Sequence, residues 1–271
     1  MNAPEASLFD DASSGEGRPK LKLVLAYDGT DFHGFAAQPD VRTVEGVLGK
    51  ALEKVLRHEL DLACAGRTDA GVHAWGQVVS FEADPGVDPW RLRGSLNDLL
   101  GPEIVIRSCE LVDSAFDARR SAVSRTYRYT VLNRPEPDPF RARHAWWVAP
   151  PLEFAPMRMA ADPLIGEHDF AAFCRRSSNP AATTIRKVLA SQWIDLGDGV
   201  LRYEITATAF CWQMVRSIVG TLVDVGLGRL TAGDMRSILA SHQREAAGQV
   251  APPHGLCLWE VGYGRASVSP S

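Results

Sequence analysis

Twelve consecutive residues, Gly66-Arg67-Thr68-Asp69-Ala70-Gly71-Val72-His73-Ala74-Trp75-Gly76-Gln77, hold a carboxylate, a guanidinium, a hydroxyl and an imidazole among three glycines. Glycines on either side of a charged pair mark backbone that turns tightly and admits close approach. The run Val78-Val79-Ser80-Phe81 predicts a strand through about Glu82, which would give the loop a rigid base. A carboxylate on a loop carried by a strand is a common way of presenting a catalytic group. Asp69 is therefore the candidate for nucleophilic or base chemistry. The plain alternative is a polar turn between a helix and a strand.

Two other places carry chemistry. Arg216 interrupts an apolar helical pattern made by Val215, Ile218, Val219, Leu222 and Val223, with Gln213 and Gly220 on its own stripe. An arginine there is rarely buried without a partner. It either snorkels to solvent or reaches a carboxylate across a cleft. Asp69 is the natural partner, because a lone carboxylate in a dry pocket would take up a proton. Tyr127 sits in Arg125-Thr126-Tyr127-Arg128-Tyr129. Arginines and tyrosines interleaved on one strand can stack a base and hold its phosphates; the alternative is a half-buried strand whose tyrosines pack and whose arginines face water. A metal site through Asp69 and His73, with His33 added, is not expected, since a glycine-flanked loop offers no helical face for such ligands. No phosphate-binding glycine loop, dinucleotide fingerprint or nucleophile-elbow motif is found.

The elements that must position these groups follow from periodicity. Leu21 to Tyr27 predicts a strand with Leu21, Leu23, Leu25 and Tyr27 on one face. Thr43 caps a helix to about His58, whose apolar stripe is Val44, Val47, Leu48, Ala51, Leu52, Val55 and Leu56. Asp88-Pro89 starts a second helix that turns Leu92, Leu96, Leu99 and Leu100 inward. Strands are expected at 104–112, 124–132, 146–148, 188–194, 201–209 and 256–263. Helices are expected at 156–164, at 213–225 and from Thr231 to about His242, and a turn at 166–170 opens a short helix. The fold class is α/β of the α+β type, with two mixed domains, each an antiparallel sheet backed by helices, and the cleft between them. The expected division is a disordered acidic tail at 1–19, an N-terminal domain at 20–115, a C-terminal domain at 116–265 and a tail at 266–271.

Composition narrows the class. The 271 residues are 45% hydrophobic and 23% charged, a globular balance. The net charge of -4 equals the contribution of Glu5, Asp10, Asp11 and Glu16, so the rest of the chain is neutral. Positive charge is nonetheless concentrated. Arg119, Arg120, Arg125, Arg128, Arg134, Arg141 and Arg143 face only Asp117, Glu136 and Asp138 between Phe116 and Ala145, a footprint suited to phosphates. Five cysteines, none in a C-x-x-C pair, argue against a disulfide framework and a zinc ribbon, so reduced thiols in a cytoplasmic protein are expected. Neither a signal peptide nor a membrane-spanning run is read.

Several segments together resemble the TruA family of pseudouridine synthases. They are Tyr27-Asp28-Gly29-Thr30 with Phe32-His33-Gly34-Phe35, Gly66 through Ala74, Phe116-Asp117-Ala118-Arg119 and Arg125 through Tyr129. Gly166-Glu167-His168-Asp169-Phe170, Met214 through Gly220 and Ala251 through Leu256 complete them. The resemblance implies an isomerase that turns uridine into pseudouridine at positions 38, 39 and 40 of the tRNA anticodon stem-loop. It implies that Asp69 is catalytic, that Tyr127 stacks on the target uracil, that Arg216 pairs with Asp69 and that Arg67 helps to displace the nucleotide. It also implies a homodimer and chemistry without metal or other cofactor. Arg119, Arg125, Arg128, Arg141 and Arg143 are the candidates for tRNA contact. The chain departs from the family at Ala36, where glutamine is frequent, and at Cys211-Trp212-Gln213, which replaces a histidine-containing run. Both fall on the wall expected to face RNA. The rival readings are a non-catalytic RNA-binding module and a metal-dependent hydrolase.

Overall fold

In the computed structural model, which describes residues 18–175 and 183–264, the leucine alternation from Leu21 forms β1 (Lys20–Tyr27) with Leu21, Leu23, Leu25 and Tyr27 buried. Most of the N-terminal acidic stretch and the C-terminal tail lie outside the described residues. Helix α1 (Val44–Leu56) opens on Thr43, whose hydroxyl accepts the Gly46 N–H at 3.3 Å. It ends two residues before His58 because Arg57 turns into the left-handed region at φ 70°. A short β2 (Ala63–Cys64) pairs with β3 (His73–Glu82). The β3 strand begins at His73, five residues before the alternating run, so His73 to Gln77 of the motif are themselves strand. Helix α2 (Pro89–Leu100) is capped by the Asp88 carboxylate, which accepts from Trp90 and Arg91. Leu92, Leu96 and Leu100 are buried, whereas Leu99, expected inward, is 43% exposed. β4 (Ile104–Val112) has the expected bounds.

The second half contributes β5 (Ala122–Leu132), β6 (Trp146–Trp147), α3 (Phe154–Ala161), β7 (Gly166–Asp169), β8 (Ile185–Asp195), β9 (Val200–Ala207), α4 (Met214–Gly226), α5 (Asp234–Ser241) and β10 (Leu256–Tyr263). The expected turn at Gly166 is instead strand β7, because Gly166 to Asp169 pair in register with Val188 to Ile185 of β8. Helix α5 starts at Asp234 rather than Thr231. The Asp234 carboxylate accepts from both the backbone N–H and the hydroxyl of Thr231, which closes a turn ahead of the helix. Cys174 and Cys211, expected as reduced thiols, form a disulfide with Cα atoms 5.8 Å apart. They are 37 residues apart, and the segments meet through the β8–β9 hairpin, a contact that no local spacing reveals. Cys64, Cys109 and Cys257 are free.

The strands form one sheet in the order β4-β1-β3-β10-β5-β9-β8-β7, with β2 and β6 pairing off that path to β3 and β5. Pairing is antiparallel apart from β10 with β3 and β6 with β5. The expected mixed α/β class with antiparallel pairing stands, and the two halves meet edge to edge in a single sheet. One face carries the core. Tyr127, Tyr129 and Val131 of β5 and Tyr203, Ile205 and Ala207 of β9 are buried there, joined by every residue of α4 except Arg216. The other face is polar. Thr126 and Thr206 hydrogen-bond at 2.9 Å, and Arg128 pairs with Glu204 at 2.6 Å. Among the described residues no helix is long and apolar enough to cross a membrane.

The two leucines of α2 separate inward from outward. Leu96→Ala should cost about 2–5 kcal/mol of unfolding free energy. Leu99→Ala should stay within about 0.5 kcal/mol of the parent. Urea unfolding midpoints of the two variants check this, and equal losses would contradict the burial assigned here.

Candidate active site

The catalytic-type loop is pinned from several sides before any ligand arrives. The Thr68 hydroxyl shares a 2.7 Å hydrogen bond with the buried Tyr27 hydroxyl. Phe35 N–H donates to the Thr68 carbonyl at 3.0 Å, and Gly71 N–H donates to the Phe32 carbonyl at 3.2 Å. Gln77 Nε2 donates to the Gly66 carbonyl at 2.6 Å. Gly34, at φ 96°, lies so close under the loop that a Cβ there would meet the Thr68 carbonyl at 2.9 Å. Within the loop, Val72 N–H donates to the Asp69 carbonyl at 3.1 Å and Gly71 takes φ 74°, a conformation suited to glycine. Asp69 thus sits on a closed turn whose two ends are tied to β1 and β3.

The loop borders a cleft of about 1160 Å³ that is also lined by Tyr127, the Asp117–Arg120 turn, Arg186 and the segment from Ala209 to Arg216. Trp212 Nε1 donates to Asp69 Oδ1 at 3.0 Å. Arg216 Nη1 lies 3.4 Å from Asp69 Oδ2, while Arg216 Nε donates to the Ala251 carbonyl at 2.7 Å. The arginine is held in place by tight packing behind it. Gly220, one turn on, leaves no space for a side chain against the Gln249 carbonyl, and Ala251 N–H donates to the Arg216 carbonyl at 3.1 Å. Tyr127 is buried, with Phe210 edge-on to its ring at 5.1 Å. Burial, and then the negative charge of Asp69, push the Tyr127 hydroxyl well above its ordinary range, so it stays protonated.

The arginines divide by what they already hold. Arg125 lines the cleft, yet its five N–H groups all donate to carbonyls: Ala65 twice, Arg119, Ala122 and Thr208. It clamps the loop to β5 and leaves no donor for a phosphate. Arg128 points to the opposite face of the sheet, paired with Glu204 and stacked over Trp259 at 3.8 Å. Arg141 lies 3.4 Å from Asp138 and Arg143 lies 3.5 Å from Asp31, and neither lines the cleft. Arg67 and Arg119 do line it, and Arg67 makes no hydrogen bond or ion pair among the described residues. Across the cleft lining, six arginines (Arg67, Arg119, Arg120, Arg125, Arg186 and Arg216) outnumber three acids (Glu45, Asp69 and Asp117). That surplus favours an anionic ligand.

His73 is turned away from Asp69. Its Nδ1 accepts the Gly29 N–H at 3.0 Å, and its Nε2 faces the Arg143 and His254 carbonyls at 2.9 and 3.1 Å. Burial holds its imidazole below the ordinary range, which fits a neutral ring with the proton on Nε2. Asp28 and His144 stand close to it, but both ring nitrogens are already engaged within the protein. Sequence reasoning placed Trp212 on the RNA-facing wall without giving it a role, and it missed Phe210 and Arg186 as cleft residues. Only Trp212 left a signal, as a large aromatic just ahead of an apolar helix.

The chain belongs to the tRNA pseudouridine synthase family, whose model matches residues 23–118 and 160–264. Members of this family, this chain included, isomerise uridine to pseudouridine in tRNA. The tRNA pseudouridine synthase A of Brevibacillus brevis is 44% identical over 246 residues, covering 90% of this chain and 99% of that protein. The Bacillus subtilis protein of the same name is 39% identical over 246 residues with the same coverage. That of Geotalea daltonii is 40% identical over 243 residues, again 90% of this chain and 99% of its own. The similarity therefore spans both halves of the cleft.

Arg216→Lys tests the geometry. A single ammonium cannot serve the Ala251 carbonyl and the Asp69 carboxylate as a planar fork does. The uridine isomerisation rate should fall about tenfold or more, with a melting curve close to that of the parent. Unchanged turnover would show that the fork is dispensable.

Proposed function

We propose that the protein modifies uridines 38, 39 and 40 of the tRNA anticodon stem-loop, with Asp69 as the group that acts on the sugar. The observation that carries this reading is a carboxylate fixed by two N–H donors in a cleft where arginines outnumber acids and a tyrosine ring lies beneath. The isomerisation breaks the C1′–N1 bond, turns the detached uracil and rejoins it through C5, with no net oxidation. It needs a carboxylate that either attacks the sugar or removes a proton from it, and a surface that keeps the free base from leaving. Asp69 supplies the first. The Tyr127 ring, braced edge-on by Phe210, supplies the second through stacking.

The target base must leave its helix before the reaction, at a cost of a few kcal/mol. Arg67, exposed and free of internal partners among the described residues, is suited to occupy the vacated stack. Arg119, Arg120 and Arg186 line the cleft and are the groups best placed for phosphates. Arg141 and Arg143 would touch RNA only where the stem runs past the cleft. Family resemblance supports a homodimer acting in the cytoplasm. It also supports a division near residues 115 and 116 into a half that carries the catalytic loop and a half that carries tRNA-binding elements.

Asp69→Asn keeps the size and planarity of the side chain and removes its charge. The variant should fold and bind tRNA, yet lose roughly 10⁴-fold or more in single-turnover conversion, about 5 kcal/mol of barrier. Intact conversion would remove Asp69 from the mechanism. Lost binding together with a melted fold would instead favour a binding module in which the residue is structural.

Phosphate contact has its own signature. tRNA affinity should fall steeply with rising salt, and replacing Arg119 and Arg120 with alanine should flatten that slope by about two phosphate contacts. The Arg141 and Arg143 pair, tested in parallel, shows whether the stem extends beyond the cleft. A salt-independent affinity would contradict the phosphate assignment.

A further inference from the structure

We propose that Trp212 is a positioning residue for Asp69, its indole N–H fixing the carboxylate oxygen that Arg216 does not hold. The inference rests on the reading of Asp69 as the catalytic group. The terminal torsion of an aspartate is broad, so a single contact does not set the plane of the carboxylate. Two donors arriving at different oxygens do. Here Trp212 Nε1 reaches Oδ1 at 3.0 Å, while Arg216 Nη1 stands 3.4 Å from Oδ2. The tryptophan thus makes the shorter of the two contacts.

The ring is itself held from outside the cleft. The Arg175 guanidinium lies over it at 4.2 Å, and Arg175 N–H donates to the Trp212 carbonyl at 2.9 Å. The Cys174–Cys211 disulfide joins the same two segments one residue earlier. Gln213, at φ 62°, then turns the chain into α4, so Trp212 and Arg216 leave the same end of one helix. The tryptophan is 47% exposed. Burial of its ring therefore does not account for its position, whereas the hydrogen bond to Asp69 and the stack with Arg175 do. An indole N–H also does not titrate in the working range, so the orientation it imposes is independent of pH.

Three variants are compared by tRNA binding and single-turnover conversion. Trp212→Phe keeps an aromatic ring for Arg175 and removes the N–H. Trp212→His keeps a ring N–H, and Asp69→Asn tests the underlying reading. Trp212→Phe should bind tRNA as the parent does but convert it about tenfold more slowly, the scale of one lost hydrogen bond to a charged group. Trp212→His should recover part of that rate. Parental conversion by Trp212→Phe, beside an inactive Asp69→Asn, overturns the role of Trp212 and leaves that of Asp69 standing. A loss confined to tRNA affinity, or equal losses in the Phe and His variants, also overturns it. An active Asp69→Asn removes the reading on which it rests.

Discussion

The site exists because the last strand of the chain lies between two strands that carry its halves. β10 runs parallel to β3 through Cys257 with His73 and Leu258 with Ala74, and antiparallel to β5 through Leu258 with Tyr127. Leu258 thereby neighbours both the loop that presents Asp69 and the strand that presents Tyr127. Without β10 the two halves of the sheet share no ladder among the described residues. The segment just before it does the complementary work on the other wall. Ala251 accepts from Arg216, Pro252 accepts from Tyr129, and His254 faces His73. A stretch of about a dozen residues thus links the elements that carry Asp69, Tyr127 and Arg216.

Electrostatics then decides what that geometry is good for. The Asp69 carboxylate is aimed by Trp212 and Arg216, and the surplus of arginines around it favours a phosphate backbone. The arginines are not equivalent. Arg125 spends all five donors on carbonyls, and its burial lowers its affinity for the proton. It serves as a strut that binds Ala65 of the loop to Arg119 and Thr208. Arg67 and Arg120 keep their charge available at the cleft surface. One residue type serves for scaffolding, for holding the aspartate and, on the proposed reading, for meeting RNA, and the free donors on each guanidinium tell these uses apart.

What was legible in the sequence is what repeats locally. β1, β4 and β10 announced themselves through alternation, and α1 through its stripe and the Thr43 cap. The chemistry of the Asp69 loop was legible from its residue types, and Arg216 from its intrusion on an apolar helix. Less legible was anything decided across long separations. β3 starts at His73 because Cys257 and Leu258 pair with it, although His73 to Gly76 show no alternation. β7 forms because β8 offers an edge. Arg125 and Arg128 read as phosphate contacts from their strand, yet carbonyls and a glutamate elsewhere in the fold claim their donors. Trp212 is 143 residues from Asp69, and nothing in its own neighbourhood points there.

The loop and the two donors to Asp69 are tied to residues outside the cleft. On the proposed reading, a uracil stacked in an RNA helix must leave its stack to reach Asp69. This arrangement suits an isomerisation in which the base is detached and must be caught again in a new orientation. A mobile wall would let the free uracil escape. On the proposed reading, the Tyr127 ring would hold it in plane while leaving rotation within that plane free. On this reading the cost of base flipping would be offset at binding by the phosphate contacts that arginines can make. It is β10 that ties the strand ending the Asp69 loop and the strand carrying Tyr127 into one sheet, so the spacing that this chemistry would need is set by the fold itself.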